Sequence, residues 1–440
     1  MEQLVSLTVM EKMVRAFGKQ MIDVRERFAK RDITDTPVMI TKDGFLLCIP
    51  DNDEVKITGI TGMTGSCKTV LMSLLTSMDY HLMKRNCILL NDMQRETFEW
   101  SKPSPKQTYI HKKINLEPYP SPIVYIFPST NTLQIENECL NYPQVKLTLP
   151  VDEVMGNIQD YLTFSDLRGS ELYLTNLLPK LKECTCMSEI KEVLKEELPD
   201  KHEQMRFKME NIFQRIFNSK IIHLSQEDSP AYLNYEDGFG NKYSNTTIQT
   251  ILRAGFIVSL QTQDLLTKDF ASAYLSHIID KVYDCQYNDP YFKNKTISLF
   301  VDEIDKLWLV DNGDLVKTSL NKIATNGRAS RIGLRWCTQH YGKVTVPIRS
   351  NTKFLFSGLQ NDAKIVREIK NDFSISSVIE EQMLNLKSSP VDGIFEMVAM
   401  TKERFVLYNL YSGEKKFSNE AKVGWLVNPI ASHMIPRIKR

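Results

Sequence analysis

The sequence predicts an α/β protein with a mainly parallel sheet, and three observations carry that prediction. Residues 55–80, VKITGITGMTGSCKTVLMSLLTSMDY, read as a short apolar strand, a glycine-punctuated turn and a helix. Residues 296–303, TISLFVDE, read as an apolar strand that ends in two acids. Cys87–Asp92 (CILLND) and Gly255–Leu260 (GFIVSL) are further apolar runs, the pattern of strands covered on both faces.

In the first stretch, Val55, Ile57 and Ile60 supply the strand, and Gly59, Gly62 and Gly65 punctuate the turn. From Thr69, apolar residues recur at Val70, Leu71, Leu74, Leu75 and Met78, which is helical spacing. The octet Gly62, Met63, Thr64, Gly65, Ser66, Cys67, Lys68, Thr69 matches GxxxxGK[ST] except that Cys67 replaces the second glycine. Such a turn aims successive backbone N–H groups inward, and the helix N-terminus adds positive potential, so it can hold a polyphosphate. Lys68 then reaches the β- and γ-phosphates, and the Thr69 hydroxyl ligates Mg²⁺. A side chain at position 67 costs about 1 kcal/mol if its φ must be positive. The plain alternative is a strand-to-helix turn that binds nothing.

At 440 residues the chain can hold two or three domains, or one large domain with insertions. Its 42% hydrophobic and 25% charged fractions are those of an ordinary globular protein. The formal net charge is +1, so a nucleic-acid partner must be met by a local patch or by a ring of several subunits. No apolar run approaches the roughly 18 residues of a membrane span, and no signal-peptide pattern opens the sequence. Among the eight cysteines, Cys184 and Cys186 are the one close pair, with no second pair at zinc spacing. Neither metal binding nor a disulfide scaffold is expected; the usage suits a reducing compartment, the cytoplasm.

Taken in order, residues 9–31 form an amphipathic helix with Val9, Met10, Met13, Val14, Phe17 and Met21 on one stripe. Residues 37–50 read as a hairpin about Lys42, Asp43 and Gly44. The strand after the glycine turn ends in Asp92 and Glu96, and acids at the carboxyl end of a parallel strand sit where open α/β sheets bind ligands. The Pro- and Lys-rich stretch 100–120 reads as a loop, and Ile123–Phe127 as a strand. Residues 151–222 read as helical, with Pro179 kinking or ending one helix. His277 lies on a helix whose apolar face is Ala271, Tyr274, Leu275, Ile278 and Val282, and reads as an ordinary histidine.

The acid pair has two roles to fill. Asp302 can hold the Mg²⁺ that bridges the phosphates, and Glu303 can act as general base toward the attacking water. Lys68 and Asp302 are 234 residues apart (302 − 68), more than a compact core needs, so the helical stretch is an insertion. Gly327–Gln339 reads as a helix end with Arg328 and Arg331, a glycine turn, and a strand ending in Thr338 and Gln339. Gln339 is placed to bond the γ-phosphate or the water. Arg328, and to a lesser degree Arg331, can supply transition-state charge to a neighbouring subunit's nucleotide. Lys353–Phe356 reads as a strand, Asn361–Ile369 as a short helix, and Ile394–Met400 with Arg404–Tyr411 as a C-terminal hairpin before a basic tail.

The glycine turn, the acid pair, Asp92 with Glu96, and above all GRASRIGLRWCTQ from Gly327 to Gln339 resemble the HerA–FtsK superfamily of hexameric DNA-pumping ATPases. The resemblance covers roughly 55–98 and 250–370. It implies a RecA-like P-loop core with ATP and Mg²⁺. It makes Lys68 and Thr69 the Walker A residues, Asp302 and Glu303 the Walker B pair, Gln339 the polar sensor and Arg328 the trans arginine. Cys67 departs from the pattern, as does Arg331, where the family often has a small residue. A helix and a hairpin stand where the family carries an N-terminal β-barrel.

The expected organisation is a helix and hairpin at 1–54, an ATPase core at 55–150 and 223–375, a helical subdomain at 151–222, and a C-terminal hairpin and tail at 376–440. The expected function is an ATP-hydrolysing ring that translocates duplex DNA in packaging, conjugation or DNA processing, with Lys317 and Lys322 as candidate DNA contacts. Two alternatives are a nucleotide-gated assembly subunit that hydrolyses weakly or not at all and serves a partner protein, and a motor that acts on protein.

Overall fold

The structure, a computed structural model, describes residues 35–50, 56–66, 68–81, 83–90, 123–127, 144–147, 149–157, 161, 171–198, 202–218, 222–223, 247–253, 255–261, 268–308, 314–389, 394–409, 412 and 414–426. The 9–31 helix, Cys67, Asp92 with Glu96, the 100–120 loop and the basic tail lie outside them.

Short apolar strands alternate with helices through the middle of the chain and build a parallel sheet half. Its strands are β3 (Thr58–Thr61), β4 (Asn86–Leu89), β5 (Ile123–Phe127), β6 (Gln144–Lys146), β9 (Ile257–Leu260), β10 (Ile297–Val301), β11 (Ile332–Thr338) and β12 (Phe354–Ser357), in the spatial order β12-β3-β11-β10-β4-β9-β5-β6. Every neighbouring pair along that order is parallel. This is the expected α/β core with a mainly parallel sheet.

Alternate residues of each strand feed opposite layers. On one face, Leu71, Leu74 and Leu75 of α1 (Lys68–His81) pack with Cys87, Leu89, Phe300 and Cys337. On the other, Ile88, Leu299, Val301, Leu334 and Trp336 meet α7 (Lys268–Asn288) and α8 (Asp314–Asn326) through Tyr274, Ile278, Leu320 and Ile323. Each large apolar side chain buried this way is worth about 1.5–3 kcal/mol.

The helical stretch contributes to that second layer. It comprises α2 (Val151–Gly156), α3 (Glu171–Leu181), α4 (Met187–Glu197) and α5 (Glu203–Asn218). Pro179 lies in the last turn of α3, which stops two residues later, since proline donates no N–H and crowds the preceding turn. Its two ends meet where β7 (Leu149–Pro150) pairs with β8 (Ile222–His223), after which α6 (Ile248–Arg253) leads back into the sheet at β9.

The antiparallel half is built from both ends of the described chain. β1 (Thr36–Thr41) and β2 (Phe45–Ile49) form the expected hairpin, turning at Gly44. The short α9 (Val346–Asn351) leads from β11 into β12. After β12 come α10 (Ala363–Phe373), capped by Asp362, α11 (Ser377–Leu384) and the short β13 (Ser388–Ser389). β14 (Ile394–Thr401), β15 (Phe405–Asn409), β16 (Lys415–Ser418) and β17 (Lys422–Leu426) complete the order β16-β15-β2-β1-β17-β14-β12.

One expectation is corrected here. The C-terminal hairpin is β15 with β16, not 394–400 with 404–411, because β14 and β15 do not pair. The N-terminal hairpin and β17 stand between them. Three intervening strands put β14 and β15 about 19 Å apart in a flat sheet, while the four residue steps from Thr401 to Phe405 span at most about 14 Å. This half must therefore curl. Phe405 accordingly packs on Phe354 and Phe356 of β12, at centroid distances of 5.3 and 6.2 Å.

Candidate functional site

Register alone brings distant motifs together. Thr61 of β3 is level with Thr338 of β11, and Val301 of β10 is level with Trp336. One residue further, the strands release Gly62, Gln339 and Asp302 at one edge of the sheet. That edge is the carboxyl end of three parallel strands, where open α/β sheets bind ligands.

The turn fits a phosphate in shape. Gly62 has φ +148°, and a Cβ there would sit 2.3 Å from Ser66 Oγ. Gly65 has φ +80° with open space around it. Met63 N donates to Leu359 O, which ties the turn to the segment after β12. Lys68 opens α1 and is nearly buried; its Nζ donates to Gly62 O at 3.0 Å and to Met63 O at 3.3 Å. The lysine therefore rests on the turn's own carbonyls and must leave them to meet a phosphate. Ser66 Oγ is buried without a hydrogen-bond partner.

The acid pair faces that lysine. Glu303 Oε1 lies 3.9 Å from Lys68 Nζ and accepts from Gln339 Nε2 at 2.9 Å. Glu303 Oε2 is buried without a hydrogen-bond partner, with Lys306 Nζ at 3.9 Å. Glu303 also holds a left-handed backbone, φ +47°, which is uncommon outside glycine and is a strained state found preferentially at working sites. Gln339 in turn accepts from Thr64 Oγ1 at 3.2 Å, so one amide joins the glycine turn to the candidate base.

Asp302 Oδ1 accepts from the Cys337 thiol at 2.7 Å. Burial, reinforced by the Asp302 charge, pushes the Cys337 thiol well up, so it stays a neutral donor. Asp305 is buried below the pair and accepts from Thr338 Oγ1. Thr69, half-buried in the first turn of α1, and the Asp302 carboxylate are hard oxygen donors of the kind Mg²⁺ prefers. The orphaned Ser66 and Glu303 oxygens and the open cradle at Gly65 fit a phosphate with its metal and water.

A buried charge cluster anchors the helix behind the turn. Asp79, near the end of α1, accepts from Arg335 Nε and Nη2, each at 2.7 Å, and from Arg85 Nη1 at 2.8 Å. Arg335 Nη1 also donates to Thr58 Oγ1 of β3. Burial alone would raise the Asp79 carboxyl; Arg335 and then Arg85 outweigh it and hold it below the usual range. The signal for this cluster was present in the sequence as Arg335 inside the apolar run IGLRWCT. The Cys337–Asp302 and Thr64–Gln339 contacts had no such signal.

Not every candidate converges. Arg328 and Arg331 are exposed in the turn before β11, at the opposite end of the strand from Gln339. Seven residues of strand put them about 20 Å from the glycine turn of the same chain. Lys322 on α8 lies 3.6 Å from Asp280 and over the ring of Tyr283.

No family model and no curated protein sequence matches the chain. Solved structures of similar layout include VirB4 of Thermoanaerobacter pseudethanolicus, at 12% identity and a TM-score of 0.48 over 82% of this chain and 92% of that one. The plasmid coupling protein TrwB, in complex with a non-hydrolysable ATP analogue, is similar at 13% identity and a TM-score of 0.49 over 84% and 88%. A genome packaging NTPase from Sulfolobus turreted icosahedral virus 2 is similar at 16% identity and a TM-score of 0.22 over 40% and 73%.

Proposed function

We propose that the chain is an ATP-hydrolysing motor that moves duplex DNA, working as a hexameric ring in the cytoplasm. The observation that carries this reading is convergence: Glu303 lies within ion-pair reach of Lys68 and hydrogen-bond reach of Gln339, three residues drawn from separate stretches to one strand-end edge. Thr69 and Asp302 would hold a magnesium ion, which would offset the negative charge that develops on the phosphates. The backbone of Gly62–Thr69 cradles the phosphates, and Lys68 swings from the Gly62 and Met63 carbonyls onto them. Glu303, with Oε1 tethered by Gln339, takes the proton of the attacking water on its other oxygen. Gln339 links that step to Thr64 on the phosphate side. Arg328 serves the nucleotide of an adjacent subunit, since it does not reach its own.

The test is phosphate release by the purified protein with and without duplex DNA, alongside its mass in solution. Wild type is expected to form rings and to turn over faster with DNA. Glu303→Gln should cut turnover by a factor of about 10²–10⁴ while still binding ATP, and Lys68→Ala should lose binding as well. Absence of both ring assembly and DNA-dependent turnover would sink the motor.

A second reading is favoured by the lysine's hold on its own turn: a nucleotide-gated assembly subunit in which binding switches oligomeric state for a partner protein. Tight ATP binding without turnover in the wild type would select it. Stimulation by a polypeptide instead of DNA would point to a protein-moving motor.

A further inference from the structure

The opposite edge of the parallel sheet carries its own concentration of charge. Arg331 immediately precedes β11, Lys293 and Lys295 precede β10, Lys84 precedes β4, and Arg253 ends the helix before β9; all five are exposed. Register aligns them: Ile297 is level with both Ile332 and Asn86, so Arg331, Lys295 and Lys84 each fall within a residue of one line. Across two strand spacings that line is about 10 Å long. Between the cations stands Tyr291, 41% exposed, with the Arg253 guanidinium 5.5 Å and the Lys295 ammonium 5.6 Å from its ring. Asp289 answers Arg253. Among the described residues, Lys293, Lys295 and Arg331 form no ion pair.

Two ordinary explanations fall short. Cations offset the carbonyl ends of helices, but only within the last turn. That accounts for Arg253 at the end of α6; Lys293 and Lys295 lie five and seven residues past Asn288, where α7 stops. Nor can these groups assist the phosphate turn of their own chain, about 20 Å away along the strands and well beyond a screening length of about 8 Å.

The backbone supplies an independent pointer. Among the described residues, four that are not glycine hold positive φ: Lys84 (56°), Glu303 (47°), Arg331 (52°) and Ser374 (52°). Glycine would hold such angles without strain, whereas another L-residue costs about 1–2 kcal/mol. One of the four is the candidate base. Two are cations on this single edge, which is the pattern of strain kept for the sake of a side chain.

We propose that the amino ends of β4, β9, β10 and β11 form a phosphate-binding face for the backbone of duplex DNA. The choice of DNA rests on the motor reading; the cation line and the strained lysine and arginine do not. A 10 Å line covers about three phosphate rises along the duplex axis, and Tyr291 lends a platform that holds two of the cations in place.

The test is anisotropy of a fluorescent duplex of random sequence, read across a salt series, with thermal midpoints taken on the same samples. Lys293→Ala with Lys295→Ala should weaken binding by about tenfold or more at low salt and lower the log–log salt slope by about two, one for each phosphate no longer neutralised. Lys84→Gly should lower the slope by about one while its midpoint holds or rises, because glycine relieves the left-handed strain. Variants that bind as wild type does, or whose affinity falls only in step with a falling midpoint, overturn the face and leave the motor standing. A wild type that binds no duplex at all overturns the motor reading and this face together.

Discussion

The two halves of the sheet are built from similar strands by opposite means. In the parallel half, β3, β9, β10, β11 and β12 are each followed by a helix, both faces are covered, and the strand ends deliver short polar segments to one edge: Gly62–Ser66, Asp302–Glu303 and Gln339. In the antiparallel half, β1, β2 and β14–β17 curl on one another, and their apolar side chains, Val38, Leu47, Met397 and Leu407 among them, turn inward. The first half commits buried polar groups to a site and to the helix behind it. The second commits apolar area to closing the sheet. The difference teaches that chemistry and cohesion are separable here, and substitutions can pull them apart.

The hardest blow to the division is Asp79→Ala. It sits in the parallel half, touches no candidate catalytic group, and leaves Arg335 and Arg85 buried without their carboxylate. Breaking a buried pair by removing one partner costs about 3–5 kcal/mol, to be read as a lowered denaturant midpoint. If stability is unchanged, the cluster is no anchor for α1.

Phe405→Ala probes the other half at a comparable scale. The ring is fully buried against Phe354 and Phe356, and its loss should cost about 3–5 kcal/mol. Nucleotide affinity of the folded fraction, measured by titration, should not change. A large loss of affinity would mean that the halves are coupled through β12.

Gly65→Ala sharpens the contrast within the parallel half. There is room for a methyl group, so the cost comes from φ +80° alone, about 1–2 kcal/mol. The free turn can relax to relieve that strain, so the cost returns when the turn must close on a phosphate: ATP affinity is expected to drop about tenfold with little movement of the unfolding midpoint.

The smallest effect lies at the α2–α7 contact. Burial would raise the Glu153 carboxyl, but hydrogen bonds from His277 and Lys281 outweigh it and bring it to about 2. A depressed carboxylate adds stability above its unfolded value of about 4.3, and that contribution is lost as pH falls toward 2. Wild type should therefore lose up to about 1 kcal/mol more than Glu153→Gln between pH 4.5 and 2, the half-exposed pair being screened by solvent. Parallel acid curves for the two proteins would show that the pair adds nothing.

The same division governs what could be read from the sequence. The parallel half announces itself locally: glycine spacing, a lysine–threonine pair and acids after an apolar run each need only a few neighbouring residues. Lys68, Asp302, Glu303 and Gln339 were legible for that reason. Their mutual contacts were not, because Gln339 reaches Thr64 and Glu303 only through the order β3-β11-β10, which no short window encodes. The antiparallel half hides for the converse reason. β14 and β15, three residues apart, look like a hairpin, and only the arrival of β1, β2 and β17 from distant parts of the chain decides otherwise.

That arrival takes time. Cys48 in β2 finds Val406 in β15 358 positions later (406 − 48). On a ribosome adding roughly 5–20 residues per second, the first hairpin waits about 20–70 s with both flanks unmatched, while the strands of the parallel half can already assemble. The leading hairpin is therefore the segment of the nascent chain most in need of a chaperone.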